Sequence, residues 1–128
     1  MPEALSITAT HDTPEIILNP ETGIFKISKR SYPEDAAGFY KPVIDWLSEF
    51  RQNPPQEITF VFNLEYYNTA SAKQIFKVLQ VLQETGKQSK VKILWQFFED
   101  DSDMEIAGER FASLISNVAF EIVSIPQE

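Results

Sequence analysis

Apolar positions along the chain change their spacing several times, and each change marks an element. Between residues 5 and 29 lie three short apolar runs, LSITA, EIILN and GIFKIS. The last two flank NPETG, where Pro20 presets a turn and Gly23 tolerates a positive φ. They read as a hairpin, and the whole segment as an N-terminal β-meander. The period then lengthens: in SYPEDAAGFYKPVIDWLSEF, Ala36, Tyr40, Val43, Leu47 and Phe50 recur at helical spacing, and Pro33 suits a first turn. Pro42 lies inside that pattern and predicts a kink, or a short helix followed by a second, before QNPPQ ends it.

In EITFVFNL, Ile58, Phe60, Phe62 and Leu64 alternate with Thr59, Val61 and Asn63. Both sets are apolar enough to predict a central strand covered on both faces. From Ser71 onward Ala72, Ile75, Phe76, Leu79 and Leu82 share one helical face, Lys73, Lys77, Gln80 and Glu84 take the other, and Gly86 is a natural stop. VKILWQFF repeats the two-sided strand pattern. SDMEIAGERFASLIS predicts a third helix with Met104, Ala107, Phe111 and Leu114 inward, and FEIVSI a closing strand. Trp46 and Trp95 read as core. A meander followed by alternating helices and strands predicts one α/β domain over residues 1–128, with a mixed β-sheet and three main helices.

Composition narrows the function. The chain has 128 residues, 43% of them hydrophobic and 23% charged, which suits a soluble domain with its own core. A net charge of -8 argues against nucleic acid and anionic membrane as partners. The absence of cysteine removes disulfides, thiolate nucleophiles and cysteine metal sites. MPEALSITATHD has neither a basic nor an apolar leader region, and no run approaches 18 apolar residues, so a cytoplasmic protein without membrane insertion is expected.

Little in the sequence recommends catalysis. The single histidine, His11, reads as an exposed turn residue, because His-Asp adjacency does not orient an imidazole for base catalysis. Glu99, Asp100, Asp101, Asp103 and Glu105 crowd together, but a calcium loop counted from Asp101 needs Gly and Glu where Ile106 and Ala112 stand. Ser102 capping the third helix, with Glu105 completing a capping box, explains the cluster more simply. An acidic surface read by a partner is the other possibility, and a small metal-dependent hydrolase built on this cluster is the competing class. No glycine motif for a nucleotide is present, and no cofactor is expected.

The junction YYNTASAK is oversupplied with polar groups. The carboxyl ends of central strands are the usual functional edge of an open α/β sheet. Ser71 with Gln74 fits a capping box, although Asn68 or Thr69 could cap instead. With Ser71 as cap, Thr69 lies just outside the helix with its hydroxyl free to project. A phosphate on Thr69 would sit beside the positive helix end and near Lys73. Chemistry alone leaves phosphorylation and plain capping both open. Tyr66 and Tyr67 should point to opposite faces, one into the core and the other flanking Thr69. Tyr32, Pro33 and Glu34 suit a helix start, but nothing in that role demands tyrosine, whereas a partner contact would.

SYPE at 31–34, the aromatic helix containing VIDWL, LEYYNTASAK, and ILWQFFEDDSDMEIAGERFA together resemble the SiaC family of bacterial regulatory phosphoproteins over nearly the whole chain. The resemblance implies a fold similar to anti-sigma-factor antagonists of the STAS type, with Thr69 as phosphoacceptor and Ser71 as the runner-up. It implies a kinase with a histidine-kinase-like ATPase fold, a PP2C-type phosphatase, and a diguanylate cyclase activated by the unphosphorylated form, with cyclic di-GMP and biofilm control downstream. Tyr32, Pro33, Glu34, Tyr67, Asn68, Thr69, Ser71 and Lys73 then form the partner-binding set. Where the family usually shows NTSS, Ala70 interrupts the hydroxyls here, leaving Thr69 and Ser71. An anti-sigma-factor antagonist acting on a sigma-factor-binding kinase is the alternative reading.

Overall fold

The structure is a computed structural model, and it describes residues 2–126. Among these the chain runs β1 (Leu5–Ile7), β2 (Glu15–Asn19), β3 (Ile24–Ser31), α1 (Ala36–Phe50), β4 (Glu57–Tyr67), α2 (Thr69–Thr85), β5 (Lys90–Phe98), α3 (Ser102–Leu114) and β6 (Ala119–Ile125). The strands form one sheet in the order β1-β2-β3-β4-β5-β6. The first two pairings are antiparallel and the last three parallel, so the sheet is mixed. The β2–β3 turn is closed by the Gly23 amide donating to the Asn19 carbonyl, with Gly23 at a φ of 75°.

Each parallel pair is joined through one helix, and each connection steps the same way across the sheet. Crossovers of the usual right hand that all advance in one direction place their helices on one face. The burial pattern follows. Ile58, Phe60, Phe62 and Leu64 of β4 and Val91, Ile93, Trp95 and Phe97 of β5 are buried against the helices. Their alternating neighbours Thr59, Asn63, Lys92 and Gln96 lie on the open face. There Asn63 donates to Gln96 at 2.8 Å, and Lys92 pairs with Glu121 at 3.2 Å. The expectation of strands covered on both faces is therefore wrong. Apolar Val61 and Leu94 on the uncovered side mimic a second buried set, but they are only half-buried.

Tyr40, Val43, Trp46, Leu47 and Phe50 of α1 and Ile75, Val78, Leu79 and Leu82 of α2 fill the core. Pro42 neither splits nor ends α1, which is continuous through it. Gly38, whose carbonyl loses its donor, is exposed along with Pro42, so water can serve that carbonyl. The apolar residues on both sides of Pro42 hold the helix to the sheet. Pro33 is not in the first turn either: α1 begins at Ala36, capped by Asp35, whose Oδ1 accepts the Gly38 amide at 3.0 Å.

Helix α3 departs from expectation at both ends. Its cap is Asp101, accepting the Met104 amide at 3.1 Å, and Ser102 is already helical. A carboxylate at the positive helix end makes the stronger, charge-assisted bond. Leu114 is 62% exposed, because the helix ends there and Ile115 turns back onto the core in its place. Among the described residues no helix is long and apolar enough to cross a membrane.

Candidate functional site

The strand order of the parallel half never reverses, so no switch-point crevice opens between helices on opposite faces. What the carboxyl edge offers is the pair of segments that follow β3 and β4, namely Ser31 to Asp35 and Tyr67 to Ser71. A bulge brings them into this relation. The β3–β4 register shifts between Lys29 and Arg30, and Lys29 adopts a φ of 79°. Beyond it Ser31 pairs with Tyr67, and both turn toward the helical side. Such bulges re-aim side chains near functional edges.

The hydroxyls of the junction separate cleanly. Asn68 caps α2, its Oδ1 accepting the Ser71 amide at 2.8 Å while its carbonyl accepts the Ala72 amide at 2.9 Å. Thr69 is the first helical residue and is exposed, as are Ala70 and Lys73. Ser71 is 0% exposed, with its Oγ accepting a hydrogen bond from Ser31 Oγ at 2.8 Å. Ser71 is thus not the cap, and its own amide, which a capping box with Gln74 would need, is already taken by Asn68; the Asn68 amide in turn donates to the Ser31 carbonyl at 3.0 Å. The expected division of labour survives in altered form: a residue other than Thr69 caps the helix, and Thr69 keeps a free-standing hydroxyl.

Beneath this loop is a buried polar cluster that the sequence did not reveal. Ser31 is 0% exposed and shares a 2.7 Å hydrogen bond with Tyr40 Oη. Since the Ser31 proton is committed to Ser71, Tyr40 is the donor. Burial pushes the Tyr40 phenol up to about 12, with the Ser31 bond opposing in part. The neutral phenol is therefore favoured by the fold, and this stability is fully present below pH 10 and lost as pH rises through 12. Wild type is expected to lose on the order of 2–3 kcal/mol more than Tyr40→Phe across that window, measured by urea unfolding at a series of alkaline pH values.

The remaining candidates divide between the two faces. Tyr67 is half-buried against Phe111, at a centroid distance of 6.1 Å; burial raises its pKa and Arg110 lowers it in part. Tyr66, at 52% exposure, packs edge-on against Tyr32 at 5.6 Å. With Arg30 and Glu65 these two tyrosines line a depression of about 390 Å³. Tyr66 belongs with Tyr32 on the surface, and strand alternation without the bulge could not assign it. Pro33 is buried and Glu34 exposed. The acidic cluster supplies a helix cap, and among the described residues no group of three or more His, Cys, Asp or Glu side chains is placed to hold a metal. His11 is exposed, 4.0 Å from Asp12.

Sequence and fold match known proteins over nearly the whole chain. The family model described as SiaC family regulatory phosphoprotein matches residues 7–125. An uncharacterized protein of Pseudomonas aeruginosa is 27% identical over 108 residues, covering 84% of this chain and 86% of its own. SiaC of P. aeruginosa superposes with a TM-score of 0.84 at 26% identity, covering 96% of this chain and 99% of that one. A chain in the crystal structure of the diguanylate cyclase SiaD in complex with its activator SiaC gives 0.86 at 27% identity, covering 94% and 99%. The chain belongs to the SiaC family of regulatory phosphoproteins, and its part in signalling is that of a regulator and not an enzyme.

Proposed function

We propose that this chain is a phosphorylation-controlled binding protein whose unphosphorylated form docks on and activates a diguanylate cyclase, and whose phosphoacceptor is Thr69. The observation that carries the acceptor assignment is the exposure of Thr69 at the first position of α2 beside a Ser71 that is wholly buried. A kinase can reach only the former without opening the core. The cyclase assignment draws support from the relative SiaC, which is the activator of SiaD in their complex.

The docking surface in this reading comprises Thr69, Asn68 and Lys73 on α2 with Tyr67, Tyr32 and Glu34 beside it; buried Pro33 shapes it from within. Ser71 drops out of the contact set. A phosphate at Thr69 adds roughly -1.5 to -2 charge at the positive end of α2, where the fold tolerates it. A partner packed on the same spot would have to desolvate that charge, so modification releases the partner without unfolding the regulator. A kinase with a histidine-kinase-like ATPase fold and a PP2C-type phosphatase set and erase the mark, all in the cytoplasm.

The test titrates the chain, unphosphorylated and phosphorylated, against its diguanylate cyclase while cyclic di-GMP is measured. Unphosphorylated protein should raise output, and the phosphoprotein or Thr69→Glu should bind at least about tenfold more weakly, the weight of one unfavourably desolvated charge. Equal binding of both forms defeats the proposal, as does co-purification of a sigma-factor-binding kinase in place of a cyclase.

A further inference from the structure

The segment carrying Thr69 is fastened to β3 at two successive points by one residue. The Ser31 carbonyl accepts the Asn68 amide at 3.0 Å, and the Ser31 hydroxyl donates to Ser71 at 2.8 Å. Those two anchors bracket Thr69 and Ala70. Tyr40, from the first turns of α1, fixes the orientation of the Ser31 hydroxyl through a third bond at 2.7 Å. All three side chains are 0% exposed, in a core that is mostly aliphatic and aromatic. Among the described residues no buried side-chain polar atom is left without a partner.

A polar cluster of this kind is a poor device for stability, since apolar residues of similar volume would serve as well. What it supplies is geometry: each hydroxyl has one arrangement that satisfies its neighbours, so the loop has one position. Ser31 also immediately precedes Tyr32 and Pro33, whose path is set by the Tyr32 amide donating to the Asp12 carbonyl at 2.8 Å. We propose that Ser31 is the positioning residue of the switch, holding the Thr69 turn and the Tyr32–Glu34 segment as one rigid unit so that the acceptor hydroxyl is presented in a fixed place. The presentation role rests on the assignment of Thr69 as phosphoacceptor; the rigid unit does not.

The mechanism separates turnover from docking. A kinase grips more of the surface than one hydroxyl, so loosening the turn leaves recognition intact but displaces the nucleophilic oxygen from in-line attack, and displacements near 1 Å cost up to about 100-fold. Ser31→Ala removes the side-chain anchor and keeps the carbonyl one, so a partial loss is expected.

The experiment uses the full chain, wild type, Ser31→Ala, Ser31→Thr and Tyr40→Phe. Amide hydrogen exchange is read at residues 68–72 and at 78–82, and phosphorylation at Thr69 by the cognate kinase is followed by intact mass over a range of substrate concentrations. Ser31→Ala should exchange on the order of tenfold faster at 68–72 with 78–82 unchanged, and should lose about tenfold in kcat with KM within about twofold. Ser31→Thr, which keeps the hydroxyl, should recover most of the loss, and Tyr40→Phe should show a smaller change in the same direction. If Ser31→Ala does not fold, Tyr40→Phe carries the test. Unchanged exchange at 68–72, or a uniform rise across α2, overturns the proposal, as does unchanged kcat in a variant with a loosened turn. Should wild type gain no phosphate at Thr69, the functional reading fails, while exchange at 68–72 still decides whether Ser31 holds the turn.

Discussion

Thr69→Ala is expected to gain no phosphate on incubation with the cognate kinase and ATP, whereas Ser71→Ala gains one, as read by intact-mass spectrometry. The contrast follows from burial. The Thr69 hydroxyl stands on the first turn of α2 in solvent, and that of Ser71 is sealed against Ser31. In stability the order reverses. An exposed threonine at the first helical position makes no contact that alanine loses, so Thr69→Ala should unfold within about 0.5 kcal/mol of wild type. Ser71→Ala instead takes away the acceptor of the Ser31 proton, while the Ser31 oxygen already accepts from Tyr40. A buried donor left without its partner costs about 1–3 kcal/mol. A phosphate retained on Thr69→Ala at full stoichiometry would show that the acceptor lies elsewhere.

Trp95→Ala is expected to be the most destabilising single change in the core, by about 3–5 kcal/mol in urea unfolding. The indole is 1% exposed, with centroids 5.4 Å from Phe62 and 5.3 Å from Phe111, and its Nε1 donates to the Met104 carbonyl at 3.0 Å. It therefore ties the sheet to α3 by packing and by a hydrogen bond at once. Gly108 is the complement of that ring: a Cβ there would lie 2.5 Å from Trp95 Cδ1 and 2.8 Å from Nε1. The indole cannot retreat without giving up its bond to Met104, so Gly108→Ala should destabilise wild type by about 1–3 kcal/mol even though alanine favours the helix by about 1 kcal/mol. In the Trp95→Ala background the obstacle is gone, and Gly108→Ala should become stabilising. A double-mutant cycle with no coupling between the two positions would refute this packing.

Much of this molecule can be read from its residues in order. The NPETG turn, the helical spacing of Ala36, Tyr40, Val43, Leu47 and Phe50, and the alternation in EITFVFNL are local patterns, and each element formed where its pattern lay. The motifs SYPE and LEYYNTASAK were likewise sufficient to recognise the family. The errors arose where the deciding contact was distant. Period-2 alternation identifies two faces of a strand but not how many are covered, and only the uniform direction of the three crossovers leaves Asn63, Lys92 and Gln96 uncovered.

The same holds at the site. Asn, Ser and Thr have similar capping chemistry, so the sequence alone determined that a polar turn begins α2 and left its three side chains nearly interchangeable. Tertiary structure assigned them. A bulge near the end of β4 turned Tyr67 inward beside Ser31, Ser31 with Tyr40 drew in the Ser71 hydroxyl, and Asn68 was left to cap. Thr69 remained outside because Ser71 took the hydrogen bond from Ser31, a residue 40 positions from it in the chain and next to it in space.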